Sequence, residues 1–455
     1  EPDASRVEVK AGESKQLNFV MRDPVTGAEV TKTLTFRPDS YVVDFALKFA
    51  GGAQNPANVK LAVGPSIGDQ GVSHYTFYSV APEAIYAPLR NEAERHLAAG
   101  IHGNEQTPDR HPVPGPVNWA AVGDTYFAMV AIPAKPVEGL EYRTSKYEHG
   151  EDKQERHLLT GFVPVPADGS VSQIYVGPKD YYLLENANEQ LNKTFAGRDI
   201  DLEGLIDYGF GSTITRPLAT PILKAIRYLN ALTGSYGIAI ILFTIIIYSL
   251  FFPLKWRTTK SMKKAQKLAP KMKELQEKIK ALQSKAKAKQ NEAELKELQM
   301  EQIRLMKEGN PLGGCLPLLI QMPFLFALFR AITISLDFRQ ASFLWMPDLS
   351  AADPWKLLPV LMAASMLVIQ WVTPAPSADP LQRKMFMVML PAMMLYMMWS
   401  APAGLLVYWF VGNLVTFGQQ MFLNRMIKDD PEPPQKGDAE KLKPKKLGQP
   451  RASEA

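Results

Sequence analysis

The chain has 455 residues, a formal net charge of +5 and 46% hydrophobic residues. This length accommodates an external domain of about 200 residues and a membrane domain of similar size. Its single cysteine, Cys315, excludes an intramolecular disulfide and a cysteine-rich metal cluster.

Residues 1–200 are predicted to form an all-β domain. Short runs rich in β-branched and aromatic residues are separated by Pro, Gly, Asn and Asp, which favours a β-sandwich. These runs are residues 7–9, 31–36, 41–45, 74–80, 126–132 and 172–176. Six histidines are scattered singly here, a pattern typical of solvated or structural histidines and not of a metal site. We interpret the domain as a binding or spacer module.

Residues 201–235 are predicted to be a linker with an amphipathic helix over residues 217–233. Its apolar residues recur at helical spacing: Leu218, Ile222, Ala225, Ile226 and Leu229. Two readings stay open for this helix. It lies in the external interface of a membrane, or it packs on the domain as an ordinary linker helix.

Five strongly apolar stretches fill the second half of the chain and predict membrane-spanning helices. They are residues 238–252, 316–334, 357–372, 385–399 and 405–423. The first core span is assigned to residues 236–253, and the other four spans lie within residues 311–428.

The distribution of charge predicts the orientation in the membrane. Residues 1–221 contain 20 Lys+Arg against 29 Asp+Glu, whereas residues 254–310 contain 16 against 7. Because Lys/Arg-rich loops stay in the cytoplasm, the β domain is expected outside and residues 254–310 inside. The first residues, Glu1-Pro2-Asp3, have no basic or apolar leader, so we expect a signal anchor outside this sequence.

Residues 254–310 are predicted to be a cationic helical hairpin. One arm presents a seam of Leu268, Met272, Leu275, Ile279 and Leu282, and the returning arm presents Leu295, Leu298, Ile303 and Met306. Its candidate recruitment residues are Lys263, Lys264, Lys271, Lys278, Lys285, Lys287 and Lys289. The alternative is a solvated coiled coil that only stiffens the loop. Residues 429–455 are predicted to be a disordered basic tail.

The sequence has no G-x-x-x-x-G-K-[ST] loop, no G-x-S-x-G elbow and no paired catalytic carboxylates, so neither an enzyme nor a cofactor is predicted. The predicted spans contain no Asp, Glu or His, which argues against an ion-coupled transporter. They do contain Arg330, which either snorkels outward or faces a watery cavity. Other polar residues within them are Thr244, Tyr248, Ser249 and Gln321.

Methionines crowd the fourth predicted span: Met385, Met387, Met389, Met393, Met394, Met397 and Met398. Methionine is flexible and polarisable, which suits a surface that accepts many different apolar helices. Ordinary lipid-facing or core methionines are the alternative.

The run N-P-L-G-G-C-L-P-L-L-I-Q-M-P at residues 310–323 closely resembles the signature of the YidC family of membrane protein insertases. Three other segments match the family in the same order: residues 252–254, 336–341 and 402–409. The resemblance is strong from residue 236 onward, whereas the β domain fits the Gram-negative form of the family in general character.

This resemblance implies a five-helix core with a periplasmic β-supersandwich domain in the bacterial inner membrane. It implies an insertase and chaperone that works without nucleotide, alone or with the Sec translocon. The implied partners are nascent inner-membrane proteins, the ribosome, the signal recognition receptor and the lipid bilayer. We expect no small-molecule substrate and a monomeric working unit.

In this family a basic residue in the first core span makes a hydrophilic groove attractive to acidic client segments, and Tyr248 stands at that position here. Either Arg330 supplies the charge, or the groove relies on hydration and on the hydroxyls of Thr244, Tyr248 and Ser249, with Gln321 nearby. The resemblance implies that client helices slide along the second and fourth spans. The candidate residues are Leu319, Met322, Phe326, Met389, Met393 and Met397.

Two other classes of protein remain as alternatives. A solute transporter is disfavoured by the absence of intramembrane carboxylates and of an inverted repeat. A structural envelope scaffold would not need Thr244, Gln321 and Arg330 within its spans.

Overall fold

The computed structural model describes residues 6–51, 58–66, 81–89, 92–101, 109–149, 154–209, 212–284, 292–309, 312–373 and 380–427. Four sequence-based predictions therefore lie outside the described residues. They are the run 74–80, the hairpin tip, its residues Lys285, Lys287 and Lys289, and the tail 429–455.

Within the described chain, eleven antiparallel strands form one continuous sheet. The strands are β1 (Lys15–Arg22), β2 (Glu29–Phe36), β3 (Val42–Ala50), β4 (Lys60–Val63), β5 (Glu83–Pro88), β6 (Glu94–Leu97), β7 (Arg110–Gly123), β8 (Phe127–Ile132), β9 (Val137–His149), β10 (Gln154–Pro164) and β11 (Asp168–Pro178). Nine strands follow the order β1-β2-β3-β11-β8-β7-β9-β10-β4, while β5 pairs with β6 and β7.

Alternating side chains of the central strands build the core of this domain. Ile85, Trp119 and Tyr142 are all buried. The Tyr142 hydroxyl donates to the carbonyl oxygens of Ile85 and Ala121 at 2.8 and 3.1 Å, so the buried phenol keeps its hydrogen bonds. The all-β fold predicted for the N-terminal domain is confirmed.

Most of the predicted strand runs that can be compared coincide with observed strands. Residues 31–36 lie in β2, 172–176 lie in β11, and 41–45 and 126–132 overlap β3 and β8. The run 7–9 is wrong, since those residues lie in irregular chain before β1 and belong to no strand of the described chain. Three alternating residues are too few to specify pairing.

The helices of the described chain follow the sheet. They are α1 (Tyr181–Thr194), α2 (Ser212–Thr233), α3 (Tyr236–Leu250), α4 (Phe252–Ser284), α5 (Glu292–Gly309), α6 (Leu312–Ile334), α7 (Leu357–Val372), α8 (Pro380–Met397) and α9 (Ala403–Met426).

Helix α1 closes the β domain. Asp180 caps it by accepting hydrogen bonds from the backbone N–H groups of Tyr182 and Leu183 at 3.0 and 3.1 Å. One face of the helix packs into the core through Leu184, Ala187 and Leu191. The cap thus holds the Asp180 carboxylate in a fixed position, facing Arg227 of the helical part.

Helix α2 contains the predicted amphipathic segment and packs against α3 and α6. Its buried face consists of Ala219, Ile222, Leu223 and Ile226, whereas Tyr228 and Leu232 are exposed. The helix therefore joins the apolar helices directly. Its location at a membrane interface stays a prediction.

Helices α3 and α4 meet at a break of 54° around Phe251. Pro253 has no N–H group to donate to the carbonyl of Ser249, which interrupts the helical ladder at this point. Within the described residues, no single helix has both the length and the apolar character to cross a membrane. The bent pair Tyr236–Leu250 and Phe252–Leu268 meets that criterion together, and Met322–Ile334, Leu357–Val372 and Met387–Met397 are shorter apolar helices.

Helices α4 and α5 pack along the predicted seam. On α4, Leu275 and Ile279 are buried. On α5, Leu295 and Leu298 are partly buried, but Ile303 is exposed. The predicted return seam is therefore wrong at Ile303, because a helical step of seven from Leu295 leads to the partly buried Gln302.

The remaining apolar helices surround α9, which packs against α3 and α7, while α8 packs against α7. Asp353, almost fully buried, organises the loop before α7. Its two carboxylate oxygens accept hydrogen bonds from the Trp345 indole N–H at 3.0 Å and the Leu358 N–H at 2.7 Å. These contacts fix the start of α7, and the bridge between Ala352 and Pro402 places this loop beside the start of α9.

Candidate functional site

The predicted groove residues of α3 lie in different surroundings. Thr244 is fully buried, and its hydroxyl donates to the carbonyl of Ile240 in its own helix at 2.6 Å. Ser249 is exposed at the end of the helix. The hydroxyl of Thr244 is thus satisfied inside α3, whereas that of Ser249 lies at an accessible surface.

Tyr248 packs against α9. Its ring lies 6.1 Å from that of Tyr408, and a Cβ atom on Gly412 would lie 2.5 Å from the Tyr248 hydroxyl oxygen. The absence of a side chain at Gly412 therefore makes room for the phenol. Helices α3 and α9 consequently approach closely at Tyr248.

Arg330 lies at the opposite end of the helical part, beside the connection from the β domain. Its guanidinium pairs with the Asp207 carboxylate at 3.2 Å and lies 5.9 Å from the Phe329 ring. Gly209 permits this approach, because a Cβ there would lie 2.5 Å from the Arg330 Nε atom. A groove role for Arg330 stays a prediction; in the structure its charge has a carboxylate partner.

The predicted client surface is divided between α6 and α8. Phe326 on α6 and Met389, Met393 and Met397 on α8 are exposed, and Met322 is partly exposed. The side chains of Leu319 and Gln321 are outside the described part of the chain. The three α8 methionines recur every four residues, so they form one exposed apolar stripe.

The described hairpin lysines are mostly solvated. Lys264, Lys271 and Lys278 are exposed, and Lys278 pairs with Glu274 at 2.8 Å. Lys263 differs because its ammonium donates to the Ile427 carbonyl at the end of α9, at 3.0 Å. Lys263 therefore connects the base of the hairpin to the apolar helices.

Polar residues of α9 form a set that the sequence analysis missed. The Asn413 amide donates to the Ser365 hydroxyl of α7 at 2.8 Å, and the Asn424 amide donates to the Val372 carbonyl at 3.1 Å. Gln420, almost fully buried, donates to Asn424 at 3.0 Å. Their spacing of seven and four residues within an apolar stretch was the available signal.

A second polar group of α9 faces α3 and α4, and we call it the α3–α9 seam: Tyr248, Lys255, Thr416 and Gln419. The Lys255 ammonium donates to the Thr416 carbonyl at 2.8 Å and to the Gln419 side-chain oxygen at 3.3 Å. The Gln419 amide N–H in turn donates to the Tyr248 carbonyl at 3.0 Å. A single glutamine thus connects Lys255 to the helix break after α3.

The β domain meets the helical part at a second charged site, which we call the domain junction. Arg227 of α2 pairs with Asp337 at 2.9 Å, approaches Asp180 at 3.8 Å and lies 4.0 Å from the Tyr182 ring centre. Arg339 lies over the Tyr126 ring at 4.8 Å. Cations of the helical part therefore meet one carboxylate, Asp180, and the rings of Tyr182 and Tyr126 in the β domain.

A cavity of about 610 Å³ lies between the β domain and the connection to α2. Its charged lining includes Arg95, Asp201, Glu203 and Arg216. Arg216 pairs with both Asp201 and Glu203, so this group of three side chains keeps a formal charge of −1. Within the described residues, no group of His, Cys, Asp and Glu is arranged to hold a metal ion.

Comparisons with known proteins cover both parts of the chain. Residues 2–221 match the family described as the YidC periplasmic domain, and residues 228–430 match the 60Kd inner membrane protein family. A membrane protein insertase YidC from Lawsonia intracellularis is 32% identical over 431 residues, which cover 92% of this chain and 73% of the relative.

Two further relatives carry the same name. That of Citrifermentans bemidjiense is 37% identical, covering 69% of this chain and 53% of its own length. That of Syntrophus aciditrophicus is 31% identical, covering 93% and 72%. The solved structure of an active YidC insertase is 20% identical to this chain, and the match covers 91% of this chain and 76% of that one, with a TM-score of 0.36.

Proposed function

This chain belongs to the YidC family of membrane protein insertases, and from that premise we propose that it inserts nascent membrane proteins into the bacterial inner membrane and assists their folding. The observation that carries the proposal is a sequence identity of at least 31% to insertases over more than nine tenths of the chain. Both the β domain and the helical part match a family of inner membrane proteins.

The barrier to insertion is the transfer of a client's hydrophilic end across hydrocarbon. A single charged side chain at the bilayer centre costs ~3 kcal/mol on insertion scales. Polar groups of the α3–α9 seam, together with Ser249, lower this barrier for a segment that moves along them. The client's apolar segment lies meanwhile against the exposed stripe of α6 and α8, and its burial in lipid supplies the driving force.

We place the β domain in the periplasm and the α4–α5 hairpin in the cytoplasm. The charge contrast between residues 1–221 and 254–310 supports this orientation. The exposed lysines Lys264, Lys271 and Lys278 make the hairpin the docking site for the ribosome, the signal recognition receptor or an incoming client. Such contacts weaken as salt is raised, because exposed charges are screened. The Sec translocon is a further proposed partner.

We assign the groove to Thr244, Tyr248, Ser249, Gln321 and Arg330, and the client surface to Leu319, Met322, Phe326, Met389, Met393 and Met397. The exposure of Ser249 at the end of α3 supports the first assignment. The exposure of the α8 methionines supports the second.

The test is insertion of a small single-span client into liposomes that contain the purified protein, without nucleotide or other translocation factors. The measured quantity is the amount of client protected from added protease. We expect protection well above that of empty liposomes. Protection equal to that of empty liposomes, with the protein shown to be folded, would refute autonomous insertion and favour a scaffold.

A further inference from the structure

We infer that Lys255 supplies the positive charge that receives an acidic segment of the client at the α3–α9 seam. The inference rests on the proposed insertase function and specifies which client segments it favours. Lys255 lies two helical turns beyond Tyr248, immediately after the break between α3 and α4. It is therefore positioned on the side of the apolar helices from which the hairpin projects.

The surroundings of Lys255 leave its charge uncompensated. The ammonium is partly buried, and its hydrogen-bond partners are the carbonyl of Thr416 and the amide oxygen of Gln419. Both acceptors are neutral, and no carboxylate of the described residues forms an ion pair with it. A cation withdrawn from water is stabilised far better by a carboxylate than by neutral oxygens.

The contacts of Lys255 also fix its position. Gln419 accepts from the ammonium and donates to the Tyr248 carbonyl, so α9 holds the lysine beside the end of α3. Because these bonds leave one of the three ammonium protons, a carboxylate can bind without displacing α9. The lysine is thus held in place before the client arrives.

Arg330 cannot serve the same purpose in this arrangement. Its guanidinium already pairs with Asp207, at the end of the helical part that adjoins the β domain. An acidic client segment would have to displace that carboxylate. Lys255 and Arg330 therefore lie at opposite ends of the helical part, and Arg330 has a carboxylate partner whereas Lys255 is bonded to neutral oxygens.

The experiment compares two clients in liposomes of neutral lipid. They share one apolar segment and differ only in a short translocated end with two aspartates or two asparagines. The protein variants are wild type, Lys255→Gln, Lys255→Arg and the matched control Arg257→Gln. Arg257 is an exposed cation two residues away on the same helix, so its replacement makes the same change in net charge.

We expect Lys255→Gln to lower insertion of the acidic client about fivefold relative to that of the asparagine client, which corresponds to ~1 kcal/mol. Lys255→Arg should retain the preference, and Arg257→Gln should behave as wild type. Raising the salt concentration should weaken the wild-type preference towards that of Lys255→Gln, because screening reduces the attraction.

Three results would overturn the inference. Equal loss for both clients in Lys255→Gln would assign the lysine a structural role, and no loss for either would remove it from client binding. A preference that requires anionic lipid would assign it to a lipid headgroup. If wild type inserts neither client, the proposed function itself fails, which is a different outcome from losing only the preference.

Discussion

Replacing Arg227 by methionine should weaken the contact between the β domain and the helical part, because this arginine lies at the centre of the domain junction. Methionine keeps the apolar stem and removes the guanidinium. The substitution leaves Asp337 and Asp180 without this cation and removes the contact with the Tyr182 ring.

The magnitude follows from the exposure and distances of these groups. The Arg227 and Asp337 side chains are 38% and 15% exposed, so solvent screens their 2.9 Å ion pair to ~1 kcal/mol. The cation–π contact at 4.0 Å adds ~0.5–1 kcal/mol. The ion pair joins Arg227 to residues 335–339 within the helical part, and the ring contact joins it to α1 of the β domain. Their loss should shift the two local opening equilibria by about fivefold and by about two- to fivefold, respectively.

Hydrogen exchange of the full chain measures this local opening. Backbone amides of residues 335–339 should exchange about fivefold faster in Arg227→Met, and those of the first turn of α1 about two- to fivefold faster, with strands of the β-domain core unchanged. Lys193→Met is the matched control, because Lys193 forms an exposed ion pair with Glu189 on α1. Unchanged exchange at both segments in Arg227→Met would refute the idea that this arginine holds the junction.

Three further predictions concern the β domain and the hairpin. Glu83→Gln should destabilise the β domain by ~3 kcal/mol in denaturant unfolding, because it leaves the buried Lys179 ammonium without its 2.9 Å carboxylate partner; a loss below ~1 kcal/mol, the level of an exposed pair, would contradict this. Burial and the neighbouring His111 hold the pKa of His96 below its ordinary value of 6.5. Wild type should therefore lose thermal stability relative to His96→Gln as the pH falls below 6.5, with no difference at pH 8. Parallel curves of melting temperature against pH for the two proteins would contradict this assignment. Deleting residues 260–307 should leave a folded protein that no longer supports client insertion in the liposome assay, whereas unimpaired insertion would exclude the hairpin from the mechanism.

The folding pattern was predictable from the sequence where it depends on local periodicity. Alternation along residues 31–36 specified a strand, and continuous apolar stretches such as 357–372 specified helices with nearly the observed bounds. The seam residues Leu275 and Ile279 followed from heptad spacing. Each of these features is determined by neighbours within a few residues along the chain.

The contacts that join distant segments were not predictable in this way. Asp207 meets Arg330, and Gln419 meets both Tyr248 and Lys255, across separations of more than one hundred residues. Periodicity states which face of a helix is apolar but not which helix lies opposite. The neutralisation of Arg330 and the position of Lys255 therefore required the tertiary structure.

The break between α3 and α4 also has a mechanical consequence. Helix α4 has 33 residues and is therefore about 50 Å long at 1.5 Å per residue. A rotation of about 10° at the break would move its far end by about 9 Å, while Lys255, near the pivot, would move by about 1 Å. In such a rotation, the hairpin would move as a rigid arm that pivots at Phe251. A large displacement of the far end of α4 would become a small movement between α3 and α9.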